Sequence, residues 1–272
     1  MPPRLTIVGS INLDLVARVE RLPREGETVT NATFSRVPGG KGANQAVAAV
    51  RLGAEVQLLA CVGEDEFAAN ALEDLQSSGV DLDKLKRVQA PTGVALIGVD
   101  AEGRNAIVVA PGANLQLRPD DIVIDDTDAV LCQLEIPLET VERASQLAPD
   151  RFFLNAAPAR TPFPAADVTI VNRYEVEALP NRDGVVVMTL GNEGAVLLED
   201  GAEVARATPP EIVAVDGTGA GDAFTACFVV SVLEGRSNEE ALRRACVAGA
   251  LSASRFGAQP SMPTAAEVDA LM

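Results

Sequence analysis

Short, almost wholly apolar runs recur along this chain, and they limit the folds open to it. They are "LTIV" (5–8), "VQLLACV" (56–62), "AVLCQLE" (129–135), "RFFLN" (151–155), "DVTIVN" (167–172), "VVVMTLG" (185–191) and "AVLLED" (195–200). Most lack the polar alternation of a half-exposed strand, so they predict strands of a parallel sheet covered on both faces. Helical stretches lie between many of them. "ANQAVAAVRLG" (43–53) and "EFAANALEDLQSSG" (66–79) each end on a glycine suited to a helix C-terminus. Ser237 with Glu240 and Thr264 with Glu267 have capping-box spacing before the last two helices. This alternation predicts a layered α/β/α sandwich with a mostly parallel central sheet.

Two stretches depart from that rhythm, about 13–38 and 92–110. Both alternate like half-exposed ribbons, and the second reads as a hairpin turning at 101–104. They predict a small β-sheet lid inserted into a single domain spanning 1–272.

Composition excludes several roles. A net charge of −17 argues against nucleic acid or an anionic membrane as partner. Aromatics at 3% leave little material for stacking on bases. The longest apolar run, inside "AFTACFVVSVL" (223–233), is too short to cross a bilayer, and "MPPRLTIVGS" does not read as a signal peptide. Four cysteines without CxxC spacing read as reduced thiols of a cytoplasmic protein. With no histidine in the chain, any general base is an Asp, Glu, Lys, Tyr or Cys.

The stretch "VDGTGAGDAF" (215–224) crowds glycines in front of one carboxylate. "EIVAVD" (211–216) reads as a strand and "AFTACFVVSVLEG" (223–235) as a buried helix. Residues 217–221 then form a strand-to-helix turn whose bare N–H groups can hold a phosphate, with Asp222 beside it. The spacing is not a dinucleotide fingerprint, because Asp222 occupies the sixth position counted from Gly217. It is not a Walker A loop either, because Lys41 is followed by Gly42. Taken alone, the motif is equally a tight turn with an Asp near the helix start. A second glycine-rich turn, "PGGKGANQA" (38–46), offers Lys41 and Asn44 to a polyhydroxy ligand. "GSINLD" (9–14) places Asn12 and Asp14 after the first strand, where open α/β sheets bind ligands.

Together "GGKGANQAVAA" and "DGTGAGDAF" resemble the two signatures of the ribokinase-like (PfkB) carbohydrate kinases, and the resemblance covers nearly the whole chain. "LEIPLE" (134–139), "LNAAPA" (154–159) and "GAQPSMP" (257–263) are most similar to the ribose-phosphorylating branch. The resemblance implies ATP-dependent transfer to the primary hydroxyl of D-ribose, giving ribose 5-phosphate. Another sugar (deoxyribose, fructose, a ketodeoxy sugar acid), a nucleoside, or a non-catalytic sugar sensor on the same fold stay open.

It further implies that Asp222 is the general base and that Gly219, Ala220 and Gly221 form the anion hole. Asn12, Asp14, Gly40, Lys41, Asn44 and Glu135 match sugar positions. Asn172 and Glu175 match a motif that organises Mg²⁺ and phosphate through water, and Thr189, Gly191 and Gly194 match the nucleotide loop. Asp216, Thr218, Ser252, Arg255, Gly257 and Ser261 match a monovalent-cation loop that takes K⁺, largely through carbonyls. Two lids clasping each other would make a homodimer. The chain departs from the pattern at Asp216-Gly217, where relatives carry Asp-Thr, and at 176–188, where they hold a further helix.

Overall fold

The computed structural model describes residues 1–179 and 184–272. The first half contains β1 (Arg4–Val8), β2 (Asn12–Arg18), β3 (Thr33–Gly39), α1 (Lys41–Arg51), β4 (Glu55–Leu59), β5 (Cys61–Gly63) and α2 (Glu66–Ser78). Then come β6 (Lys86–Val88), β7 (Gly93–Val99), β8 (Asn105–Ala110), β9 (Ala129–Gln133), α3 (Leu138–Leu147) and β10 (Phe152–Asn155). The chain continues through β11 (Val168–Asn172), β12 (Val185–Thr189), β13 (Ala195–Glu199), β14 (Ala202–Ala207), α4 (Ala220–Leu233), α5 (Asn238–Ala253) and α6 (Ala265–Asp269).

Eight strands form the central sheet in the order β14-β13-β12-β11-β10-β9-β1-β4. It is parallel from β4 to β12 and antiparallel across β12, β13 and β14. The pleat explains the all-apolar runs. Leu5, Ile7, Ala129, Leu131, Ala195 and Leu197 enter the core under α1, α2, α4 and α5. Their neighbours Val8, Val130, Cys132, Val196 and Leu198 enter a second core on the other face, with Val141 and Ala144 of α3. Alternate side chains of one strand thus feed two cores. α4 is buried along most of its length, as its uninterrupted apolar sequence predicts.

β2, β3, β7 and β8 make a separate four-stranded sheet in the order β3-β2-β7-β8. β2 pairs antiparallel with β3 and parallel with β7, and β7 forms the expected hairpin with β8. Asp100 N donates to Arg104 O at 3.0 Å across the turn.

Three expectations need correction. The run 56–62 is not one strand: it breaks at Ala60, β4 staying in the large sheet while β5 pairs with β6. Residues 211–216 are not a strand. The sheet edge is taken instead by β14, whose alternating "AEVARA" suits an edge exposed on one face. Residues 211–215 run exposed beyond it, and Val215 and Asp216 N donate to Ala253 O at the end of α5. Of the two capping boxes only that of Thr264 and Glu267 closes; Ser237 accepts from Glu240 N, but the Glu240 carboxylate pairs with Arg236.

The shortened stretch is visible in part. β11 and β12 are adjacent and parallel, yet the described residues of their connection hold a single 3-10 turn, Glu175–Ala178. Parallel crossovers usually carry a helix over a dozen or more residues. Residues 180–183, inside the expected 176–188 segment, lie outside the described residues.

Candidate active site

The strand-to-helix glycines sit at one end of the central sheet, with the residues that follow β1, β9, β10, β11 and β12 at their carboxyl ends. This is where parallel sheets collect ligands. α4 starts at Ala220 after Gly219, which adopts φ 79°. A side chain there is strained by that φ, and its Cβ would stand 3.0 Å from Ala258 Cα. The left-handed residue starts α4 at the cleft, where the first N–H groups have no intrahelical acceptor; Ala220 N reaches Gly217 O at 3.3 Å. The segment before it is loop rather than strand; the expected turn survives because Val215 and Asp216 are tied to α5.

Asp222 lies in the first turn of α4, buried, and each of its oxygens takes an amide N–H from α1. Asn44 Nδ2 donates to Oδ2 and Gln45 Nε2 to Oδ1, both at 2.8 Å. Asn12, Asp14, Gly40, Lys41, Asn44, Glu135 and Asp222 line one cleft of about 600 Å³. Ala95, Ile97, Ile107 and Val109 of the four-stranded sheet face it from the other side. Ser10 Oγ donates to Glu135 Oε2 at 2.5 Å, and Lys41 N donates to the same oxygen at 3.1 Å, tying β1's exit to the start of α1. Asn44 Oδ1 is buried and has no partner among the described residues, an acceptor that a ligand hydroxyl would satisfy.

The charges are crowded. Burial, then Glu135 and Asp222, push the Asp14 carboxyl up to about 7. Burial opposes the charge on Lys41, but Asp222, Glu135 and Glu175 outweigh it and hold the ammonium above its ordinary value. The Lys41 ammonium is thus shared among three carboxylates.

A second cleft of about 830 Å³ continues from the first past Gly217 and Gly221. Thr189, Gly191, Gly194, Ala220 and Gly221 line it, with Phe224, Cys246 and Ala250 as an apolar wall. Burial pushes the Cys246 thiol up to about 12, so it serves as wall rather than nucleophile. Where the two clefts meet stand Lys41, Asn155, Asn172, Glu175 and Asp222. Asn172 and Glu175 close a local ring: Asn172 Oδ1 accepts from Tyr174 N and Glu175 N, and Glu175 Oε2 from Asn172 N, all at 2.8 Å. Burial raises the Glu175 carboxyl, while its bond from Asn172 N and nearby Lys41 act against the rise.

The six positions expected around a monovalent cation also converge. Asp216 Oδ1 accepts from Thr218 N (3.0 Å) and Oγ1 (2.7 Å), and Oδ2 accepts from Gly257 N at 3.1 Å. Ser252 and Ser261 share a buried hydroxyl bond of 2.7 Å, and Arg255 N donates to Ser252 O. A carboxylate, a buried hydroxyl and loop carbonyls are an all-oxygen set, which fits an alkali cation by donor chemistry. The Arg255 side chain turns away to Glu267, consistent with a role for its carbonyl alone. Arg18 of β2 reaches Asp216 Oδ2 at 3.5 Å and stacks over Phe256 at 4.6 Å, a contact between the small sheet and this loop. Among the described residues no three His, Cys, Asp or Glu converge on a metal position.

Sequence reasoning passed over four buried polar residues here: Ser10, Gln45, Asn114 and Asn155. Gln45 and Asn155 lie inside the quoted stretches "GGKGANQAVAA" and "LNAAPA", so their signal was adjacency to residues already singled out. Asn114 bridges Ile11 N, Ile11 O and Asn12 Oδ1, and nothing in "GANLQ" announces it.

Comparison with known proteins places the chain in a family. Residues 3–265 match the model of the pfkB family carbohydrate kinases. The chain is 39% identical to the ribokinase of Bacillus subtilis over 294 residues, covering 98% of this chain and 99% of that one. A deoxyribokinase of Salmonella typhi is 33% identical, with 96% and 95% covered. The structure of Arabidopsis thaliana ribokinase complexed with ribose and ATP superposes with a TM-score of 0.85 at 34% identity, covering 100% and 99%.

Proposed function

The chain belongs to the pfkB family of carbohydrate kinases, and we propose that it phosphorylates the primary hydroxyl of D-ribose at the expense of ATP, with Asp222 as general base. One observation carries the assignment of roles. The carboxylate of Asp222 lies at the first turn of α4, lining the first cleft and standing where it meets the second.

Phosphoryl transfer asks for positioning and for charge stabilisation. Asn12, Asp14, Asn44 and Glu135 hold the sugar hydroxyls, the carboxylates and Asn44 Oδ1 as acceptors and Asn12 Nδ2 as donor. Asp222 takes the proton of the primary hydroxyl as its oxygen attacks the γ-phosphorus. The bond from that phosphorus to the β,γ-bridging oxygen breaks, and ADP departs along the second cleft. The N–H groups of Gly219, Ala220 and Gly221, at the positive end of α4, take up the charge on the equatorial oxygens. Lys41 supplies a further positive charge beside them.

Thr189, Gly191 and Gly194 form the wall along the nucleotide. Glu175, set by Asn172, would hold Mg²⁺ through water, and the metal's contribution when bound is to neutralise the β- and γ-phosphates. Asp216, Thr218, Ser252, Arg255, Gly257 and Ser261 would hold K⁺ beside the anion hole, fixing the backbone that forms it. The four-stranded sheet is the lid of a single 1–272 unit. It excludes water from the sugar, and its exposed edge joins a second copy. No helix among the described residues is long and apolar enough to cross a membrane.

The test is a coupled ADP-release assay with Mg·ATP over a panel of sugars and nucleosides, with and without K⁺, beside Asp222→Asn. Ribose-dependent turnover that falls by about 10²-fold or more in the variant is the expected result. Turnover with deoxyribose or another acceptor alone replaces the substrate and keeps the chemistry. Full activity in the Asn variant rejects Asp222 as the base.

A further inference from the structure

Gln45 follows Asn44 on α1 and has no exposed surface. Its amide is nearly saturated. Nε2 donates to Asp222 Oδ1 at 2.8 Å and to Asn155 Oδ1 at 3.0 Å, and Oε1 accepts from Gln133 Nε2 at 2.6 Å. A carboxylate only accepts, so the N–H side of Gln45 must face Asp222. A flipped amide would place its oxygen against two acceptors at once. Asn155 is itself anchored, its Nδ2 donating to Ile170 O at 3.1 Å. The chain of amides therefore runs in one sense, from Gln133 through Gln45 to Asp222.

With Asn44 on Oδ2 and Gln45 on Oδ1, both oxygens of Asp222 are pinned to α1 from behind. Rotation about the Cβ–Cγ bond would break both contacts, so the remaining lone pairs keep one direction. Gln45 itself does not line the sugar cleft, whereas Asn44 does. Its bond to Asp222 therefore acts on the carboxylate and not on the ligand.

We propose that Gln45 is a positioning residue that fixes the orientation of Asp222 toward the sugar hydroxyl, with Gln133 setting the sense of its amide. This rests on the reading of Asp222 as base, so Asp222→Asn is measured in parallel. In Gln45→Met, which keeps length and removes the donor, kcat is expected to fall about 10- to 100-fold, the worth of a bond to a charged group. KM for ribose and for ATP should stay near the parent values. Gln45→Glu sets a second carboxylate beside Asp222, and two carboxylates in contact share a proton. The acid limb of its kcat profile should move to higher pH.

A glutamine that served only the core would lower the melting temperature of these variants and leave the kcat:KM pattern and the acid limb in place. Gln133→Met touches only the Oε1 side of Gln45; should Gln45→Met not fold, it is expected to give a smaller loss of kcat with KM unchanged. An unmoved kcat and acid limb in variants that fold, with Asp222→Asn inactive, overturns the inference and spares the base. An active Asp222→Asn removes both.

Discussion

The carboxylate of Asp14 on β2 lies against the α-carbon of Gly39 on β3, so close that a Cβ on the glycine would stand 2.4 Å from Oδ1. Only a residue without a side chain lets the two strands bring that carboxylate under the cleft. There it is nearly buried and faces Glu135 and Asp222, which explains its rise to about 7. The sign of the linkage follows. Between about pH 4 and 7 the folded chain holds a proton that the unfolded chain has lost, so this group's contribution to stability falls as pH rises across that window and then levels off. Asp14→Asn removes the buried charge without changing shape. Its melting temperature at pH 8 is expected to exceed the parent's by on the order of 5 °C, with little gain at pH 4.5. The same variant should lose ribose affinity, since an amide cannot accept from two hydroxyls as a carboxylate does. Scanning calorimetry and KM for ribose at both pH values check this; a variant destabilised at pH 8 would show that Asp14 is not strained in the free protein.

Gly219 gives a second prediction. Its φ of 79° strains any side chain, and a Cβ there would crowd Ala258 at 3.0 Å. Gly219→Ala is expected to cost about 1–2 kcal/mol from the left-handed conformation alone, and to lower kcat more than it raises KM for ribose, because in the proposed mechanism the displaced N–H groups serve the transferring phosphoryl group. A denaturant melt and steady-state kinetics separate the two effects. A rise in KM for ribose with kcat intact would place Gly219 with the sugar instead.

The sheet was legible because each central strand feeds two cores and so shows no polar face. Residues 211–216 were misread for a related reason: Ile212, Val213 and Val215 look like a buried strand but are exposed. β14 was overlooked because an edge strand exposing Glu203 and Arg206 carries little apolar signal. Within the site, glycines and lone charges stood out in the sequence. Gln45, Asn114 and Asn155 did not, since a buried amide is defined by partners far away in the chain. Gln45 meets Asp222 across 177 positions, and no local pattern encodes that pairing.

Asp216 offers a third prediction. Its carboxylate gathers Thr218 and Gly257, and through them the two loops that flank the proposed anion hole. Asp216→Ala leaves those donors without an acceptor and should cost about 1–3 kcal/mol. If the loop takes K⁺, KCl should raise the melting temperature of the parent above that in equal NaCl, and the variant should lose that difference. Equal melting temperatures in the two salts for the parent would count against a K⁺ site, independently of any effect on turnover.

The last prediction concerns assembly. All six residues of β8 are exposed, and Ile107, Val108 and Val109 form an apolar run on the free edge of the small sheet, with Phe34 exposed on its opposite edge strand. An unpaired apolar edge is a template for association. A homodimer formed across this sheet would cover it in each copy. Val108→Glu places a charge in the middle of that run, where 65% of the parent side chain is exposed in the single chain, so the fold itself should tolerate it. Sedimentation velocity at micromolar concentration is expected to give a dimer for the parent and a monomer for the variant. The lid would also lose its support, and KM for ribose should rise in step with dissociation. A parent that sediments as a monomer rejects the dimer outright, and a variant that remains dimeric moves the interface elsewhere.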